Sequence, residues 1–124
     1  MDKAKILKGF QEAMLWANHD DRDNDNEHID ETCSIEDITP EANEKIMVII
    51  NDFLEKSQLT LEMIKTDEDQ IGHDLLLTAQ GHGVGFWDRP HYYPNGLHTS
   101  LTEICSYKYN IAPYINEDNK VELE

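Results

Sequence analysis

Residues 72–89 read Gly72-His73-Asp74-Leu75-Leu76-Leu77-Thr78-Ala79-Gln80-Gly81-His82-Gly83-Val84-Gly85-Phe86-Trp87-Asp88-Arg89. An apolar run, Leu75 to Thr78, and a β-prone run, Val84 to Trp87, flank a glycine-rich turn at residues 80–83. Two such runs around such a turn predict a β-hairpin in which glycine supplies the positive φ at the tip. We expect Phe86 and Trp87 to lie in the core.

The residues before this segment predict two amphipathic helices. Lys3 to Asn18 carries apolar residues at the spacing of one helix face, namely Ile6, Leu7, Phe10, Met14 and Ala17. A second helix begins at Pro40, because Thr39 is a good N-cap and proline suits the first helical position. We expect this helix to end near Lys56-Ser57, although Leu59, Leu61 and Ile64 could form a continuation.

The residues after it predict one more helix and a second hairpin. Leu97 to Lys108 has helical spacing, and Ile111–Ile115 and Val121–Leu123 form two short strands, with Pro113 confining its strand to an edge. The whole pattern predicts an α+β fold: N-terminal helices followed by ββαββ, giving a four-stranded, mainly antiparallel sheet with helices packed on one face.

The length predicts a single domain, residues 1–124. We divide it into a helical part, residues 1–66, which contains an acidic loop at 19–38, and a hairpin–helix–hairpin part, residues 67–124.

No apolar run approaches the ~20 residues that span a bilayer, and the N-terminus leads into an amphipathic pattern rather than a signal peptide. These features favour a soluble cytosolic protein. There the two cysteines, Cys33 and Cys105, are expected as free thiols rather than a disulfide.

The strongest compositional signal is charge. The net charge is −16, from 26 acidic and 10 basic residues, and eleven of the acidic residues lie between Asp20 and Glu44 with one arginine, Arg22. Such a charge disfavours direct binding to nucleic acid or an anionic membrane and favours a partner with a basic surface. The alternative is that acidity only maintains solubility. The predicted partner-binding residues are Asp20, Asp21, Asp23, Asp25, Glu27, Asp30 and Glu31.

The main cluster of polar chemistry lies in residues 72–89. The hairpin would bring His73 and Asp74 close to its other end, with candidate catalytic residues His73, Asp74, His82, Asp88 and Arg89. A carboxylate that orients an imidazole is the basic unit of acid–base catalysis, and an arginine can hold a phosphate or carboxylate. The alternative, which we favour, is structural: a salt bridge between Asp88 and Arg89 at the hairpin base, and a His73 side chain that caps or satisfies backbone groups.

Metal and cofactor motifs are not evident in the sequence. Asp21, Asp23 and Asp25 resemble the start of a calcium-binding loop, but Asn26 and Thr32 stand where glycine and glutamate are required. No HExxH or CxxC spacing, Walker loop, Rossmann turn or nucleophile elbow occurs. We therefore predict no metal and no cofactor, although five side chains could in principle supply metal ligands: His73, Asp74, His82, His91 and His98.

The central motif resembles a family of short proteins encoded by tailed bacteriophages. The resemblance rests on Gly-His-Asp, an apolar run, Gly-His-Gly and Gly-Phe-Trp-Asp-Arg within residues 72–89, and extends to residues 13–16 and Leu101-Thr102. The chain departs from the family at Leu75 and Leu76, which replace aromatic residues, at Ala79, which replaces an arginine, and at Pro90, which replaces a glycine. The resemblance implies a phage accessory protein in the host cytoplasm and supplies no reaction.

Two functional hypotheses follow. The first is a small acidic phage protein that binds and modulates a host protein, in host takeover or counter-defence, by presenting carboxylates as a DNA mimic does. The second is a small hydrolase or nucleotide-binding protein that uses His73, Asp74, His82 and Arg89.

Overall fold

The computed structural model describes residues 2–20, 22, 27–64, 66–82, 84–105, 109 and 111–124, except the side chains of Gln58 and Leu59. Within these residues the chain forms four α-helices, α1 (Lys3–Ala17), α2 (Pro40–Leu61), α3 (Glu68–Ala79) and α4 (Leu97–Cys105). Three short 3₁₀ turns lie at Ile29–Glu31, Ile35–Asp37 and Phe86–Asp88. A two-stranded antiparallel sheet follows, formed by β1 (Pro113–Ile115) and β2 (Val121–Leu123).

The three predicted helices and the terminal hairpin are confirmed, and the predicted end of the third helix at Lys108 lies outside the described residues. The side chain of Asp2 caps α1 by accepting from the amide of Ala4 at 3.0 Å. The hydroxyl of Thr39 accepts from the amide of Ala42 at 3.1 Å, which fixes the predicted start of α2. Of the two predicted ends the structure has the continuation: α2 passes Ser57 and ends at Leu61, whose side chain is buried.

The predicted ββαββ arrangement is wrong. Leu75 to Thr78, expected as a strand, lies inside α3, and Val84 to Trp87 forms no strand but leads into a 3₁₀ turn. The described residues therefore contain a two-stranded sheet instead of four strands. The reason is burial: from Ile71 to Ala79 only His73 is not buried. A helix covered on nearly all sides has a continuous apolar run, which periodicity cannot distinguish from a buried strand.

The α1–α3 crossing explains Gly72, the first glycine of the 72–89 segment. A Cβ on Gly72 would lie 1.9 Å from the carbonyl oxygen of Ile6, and one on Gly9 would lie 1.8 Å from that of Asp69. The two backbones therefore touch at glycines, as only residues without a side chain allow. Gly9 of α1 adjoins Asp69 at the start of α3, and Asn18, just after α1, bonds Gln80, just after α3. The two helices therefore run in the same direction.

The segment after α3 folds back onto that helix. Gly81 and Gly85 have positive φ values of 69° and 134°, so the prediction that glycine supplies positive φ is confirmed at these two positions, whereas Gly83 lies outside the described residues. The amide of Phe86 donates to the hydroxyl of Thr78 at 3.1 Å, which places the Phe86 ring in the core.

Phe86 is the aromatic centre of the packing between α2, α3 and the following loop. Its ring stacks on Phe53 at 5.5 Å between centroids and meets the edge of Tyr93 at 5.0 Å. The core prediction is thus confirmed for Phe86 and wrong for Trp87, which is 53% exposed.

Both cysteines are free thiols, as expected, and both are buried. Burial raises the pKa of the Cys105 thiol to about 12. No described helix is long and apolar enough to cross a membrane.

Candidate functional site

Asp74 is the centre of a buried polar cluster that joins α3 to the loop before α4. The carboxylate is completely buried. It accepts from the hydroxyl of Tyr93 at 2.5 Å and from the side-chain amide of Gln70 at 3.0 Å, both on Oδ2. Its other oxygen, Oδ1, lies 2.8 Å from Nε of Arg89 in a close ion pair. We call these four residues the Asp74 cluster.

The cluster confirms that the His73-Asp74 segment lies close to Arg89, but through a helix and a folded-back loop instead of a hairpin. The salt bridge expected between Asp88 and Arg89 is wrong: Arg89 pairs with Asp74, and Asp88 accepts from the amide of Gly85. Gln70 and Tyr93 were missed. Gln70 stands four residues before Asp74, a spacing that brings side chains together only on a helix, so reading residues 70–79 as helical would have found it.

His73 lies beside the cluster at the molecular surface. Its Nδ1 is 3.8 Å from Oδ1 of Asp74, and 33% of its side chain is exposed. Its ring stacks on that of Trp16 at 6.1 Å between centroids, and Trp16 is itself 54% exposed. The imidazole thus lies between a buried carboxylate and an exposed indole, and its buried Nδ1 has no hydrogen-bond partner among the described residues.

The remaining two candidates serve local structure. Asp88 is exposed, and its Oδ1 accepts from the amide of Gly85 at 2.8 Å, which caps the 3₁₀ turn. His82 is also exposed, and its Nε2 contacts Oε1 of Gln80 at 2.8 Å. Nothing among the described contacts joins His82 to the Asp74 cluster, so the five candidates do not form one site.

The chemistry of the Asp74 cluster is that of a structural tie. Oδ2 accepts two hydrogen bonds, from Tyr93 and Gln70, whereas Oδ1 is buried against Arg89 in an ion pair and has no hydrogen-bond partner among the described residues. Burial, together with the neighbouring carboxylate, raises the pKa of Tyr93, so its hydroxyl stays protonated and donates to Asp74. The arrangement neutralises a buried charge and fixes the 86–93 segment on α3.

The predicted partner-binding residues separate into three groups. Asp20 is buried and ion-paired with Arg22 at 2.9 Å, and the hydrogen bond from Arg22 lowers the pKa of this carboxyl. It serves structure, because Arg22 also donates to Asn119 at 2.8 Å and so ties the segment to the terminal hairpin. Three residues are exposed: Glu27, Asp30 and Glu31. Three lie outside the described residues: Asp21, Asp23 and Asp25.

A groove lies where α1 meets the first two 3₁₀ turns. Its volume is about 360 Å³, and its lining carries three carboxylates and no Lys or Arg side chain among the described residues. The apolar lining comes from Leu15, Ile35 and Cys33, and the acidic lining from Glu12, Asp30 and Glu36. We call it the acidic groove. Composition predicted its charge, whereas Glu12, distant in sequence, was missed.

The charge state of the acidic groove is partly set by hydrogen bonds. The hydroxyl of Ser34 donates to Glu36 at 2.7 Å and lowers the pKa of that carboxyl. Lys8 approaches Glu12 at only 3.9 Å, and both side chains are more than half exposed, so this pair is weak. The groove therefore keeps a negative charge at neutral pH.

The described residues contain no group of three or more His, Cys, Asp or Glu side chains placed to hold a metal ion. No protein-family model, curated protein or solved structure matches the chain.

Proposed function

We propose that this chain is a non-enzymatic accessory protein, of the tailed-phage kind that its 72–89 motif resembles, which binds a host protein in the host cytoplasm. The observation that carries the proposal is the acidic groove, with three carboxylates and an apolar floor. The net charge of −16 makes the whole protein acidic, and the groove is a defined surface on which that charge can contact a partner.

The groove suits a lysine or arginine side chain of the partner. Such a side chain has an apolar stem and a charged head, so Leu15 and Ile35 can contact the stem while Asp30 and Glu36 pair with the head. A long-range negative field also speeds the encounter with a basic surface. Affinity and orientation then come from the groove, and association rate comes from the total charge.

The chemical class of the partner follows from this complementarity. Proteins that bind nucleic acid expose Lys and Arg to neutralise phosphates, so a protein surface rich in carboxylates can occupy the same site. Host nucleases, transcription factors and other nucleic-acid-handling proteins are therefore the proposed targets. Occupying such a site would serve host takeover or counter-defence.

The test compares two triple variants that remove the same number of charges. Glu12→Gln, Asp30→Asn and Glu36→Gln alter the acidic groove, whereas the control alters exposed carboxylates elsewhere: Glu55→Gln, Glu103→Gln and Glu117→Gln. The immobilised protein captures its partner from host lysate at moderate salt, and the dissociation constant of the purified partner is then measured for all three proteins.

The groove variant should bind about tenfold more weakly, because three partly exposed ion pairs contribute roughly 0.5 kcal/mol each. The control should bind within about twofold of the unmodified protein at the same salt. Equal weakening by both variants would show that only total charge matters. Binding unchanged in both variants, or capture of no partner in stoichiometric amount, would refute the electrostatic proposal.

A hydrolase or nucleotide-binding function is not our proposal. It would require His73, Asp74, His82 and Arg89 to converge, whereas His82 contacts Gln80 and the carboxylate of Asp74 is completely buried and ion-paired with Arg89.

A further inference from the structure

Two histidines face each other at the base of the acidic segment. His19 and His28 form an antiparallel bridge, with backbone hydrogen bonds from Ile29 to Asn18 at 2.9 Å and from Asp20 to Glu27 at 2.6 Å. Because these bonds flank the pair, His19 and His28 are a non-hydrogen-bonded pair, the position in which opposing side chains approach most closely. The two imidazole centroids are 4.6 Å apart.

We propose that His19 and His28 form a chelating site for a divalent transition-metal ion of the Zn²⁺ class. In a tetrahedral site each nitrogen lies about 2.0–2.1 Å from Zn²⁺, so the two ligand nitrogens lie roughly 3.3 Å apart. The ring centroids are 4.6 Å apart on one face of a bridge, so a change of rotamer at the exposed His19 can meet this spacing while His28 keeps its orientation. Imidazole is a preferred ligand of this class of ion.

The backbone prepares one of the two ligands. Nδ1 of His28 lies 2.5 Å from the carbonyl oxygen of Trp16. A carbonyl oxygen only accepts, so Nδ1 must carry the proton of this hydrogen bond, and Nε2 of the neutral ring keeps its lone pair. Histidines that bind metals commonly donate their other ring N–H to a carbonyl in this way, which fixes the tautomer and the ring orientation.

The cleft beside His19 gives the ion room. His19 lines a cleft of about 520 Å³ that His82 also lines. The described residues contain no preformed group of three or more ligands, so solvent completes the coordination of the His19–His28 pair. The bound ion would clamp the two ends of the segment between residues 19 and 28, independently of any protein partner.

The test uses Zn²⁺ alone as the probe, in calorimetric titration of the full chain in a buffer without chelators. The unmodified protein should bind one equivalent saturably, and the affinity should fall as the pH is lowered, because the ligands must be deprotonated. His19→Ala and His28→Ala should each weaken binding by at least about tenfold. His91→Ala is the matched control, because it removes an exposed histidine far along the chain and should leave the affinity unchanged.

A second probe separates imidazole ligands from carboxylates. Ca²⁺ takes oxygen ligands, so a large excess should not displace Zn²⁺ from a histidine site. Displacement by Ca²⁺, or a His19→Ala variant that binds Zn²⁺ as tightly as the unmodified protein, would overturn the proposal. Circular dichroism of each variant checks that the helices are intact, and His19 is exposed, so its removal should leave them so.

Discussion

Replacing Asp74 by asparagine removes the charge at the centre of the Asp74 cluster while keeping the size of the side chain. Arg89, of which 27% of the side chain is exposed, would lose its counter-ion, and Tyr93 would lose a charged acceptor. Removing one partner of a buried ion pair costs about 3–5 kcal/mol. Because Arg89 can regain some hydration, we expect the lower end of that range, a loss of about 3 kcal/mol.

A loss of this size is large for a single domain, whose total stability is about 5–15 kcal/mol. The measurement is urea unfolding followed by far-ultraviolet circular dichroism, which suits a mostly helical protein. The control is Asp118→Asn, the same change at an exposed site, which should stay within about 0.5 kcal/mol of the unmodified protein.

A double-mutant cycle separates the pair from its surroundings. With Arg89→Met added, the combined loss should be smaller than the sum of the two single losses by about 1–3 kcal/mol. If Asp74→Asn unfolds within about 0.5 kcal/mol of the unmodified protein, the reasoning is wrong. The buried carboxylate would then not stabilise the fold, and a catalytic role would regain support.

Three further predictions concern the packing and the acid stability. Gly72→Ala should destabilise the fold by about 1–3 kcal/mol, since its Cβ would lie 1.9 Å from a backbone oxygen of Ile6. Alanine favours an isolated helix, so a higher Tm for this variant would contradict the close α1–α3 crossing. Phe86→Ala should lose about 3–5 kcal/mol of unfolding free energy, whereas the half-exposed Trp87 should lose clearly less as alanine, and equal losses in thermal melts would count against this difference. Asp20→Asn should be less stable than the unmodified protein at neutral pH. Because the folded-state pKa of Asp20 is lowered, the contribution of its carboxylate to stability is present above the unfolded pKa of about 4 and is lost as the pH falls through the folded value. A difference in unfolding free energy between the two proteins that persists in acid would be inconsistent with the Arg22 pair.

In the candidate site, the residues within one short segment could be predicted from the sequence, whereas their partners from other segments could not. The 72–89 segment drew attention to Asp74 and Arg89, and these two do form the ion pair. Their partners could not be foreseen, because Gln70 joins them only if the segment is helical and Tyr93 only once the loop has folded back. The same holds for Glu12, which reaches the acidic groove from another helix.

By itself the sequence determined those elements whose signals are local. The Thr39-Pro40 cap, the apolar stripe of α1 and the β1–β2 hairpin each depend on residues a few positions apart, and each was predicted. Only the tertiary structure decided that residues 72–79 form a helix. A glycine costs a helix about 1 kcal/mol relative to alanine, so Gly72 argued locally for a turn. Its place in α3 is favoured because the missing side chain lets the backbone of α1 approach, a gain that exists only when both helices are packed.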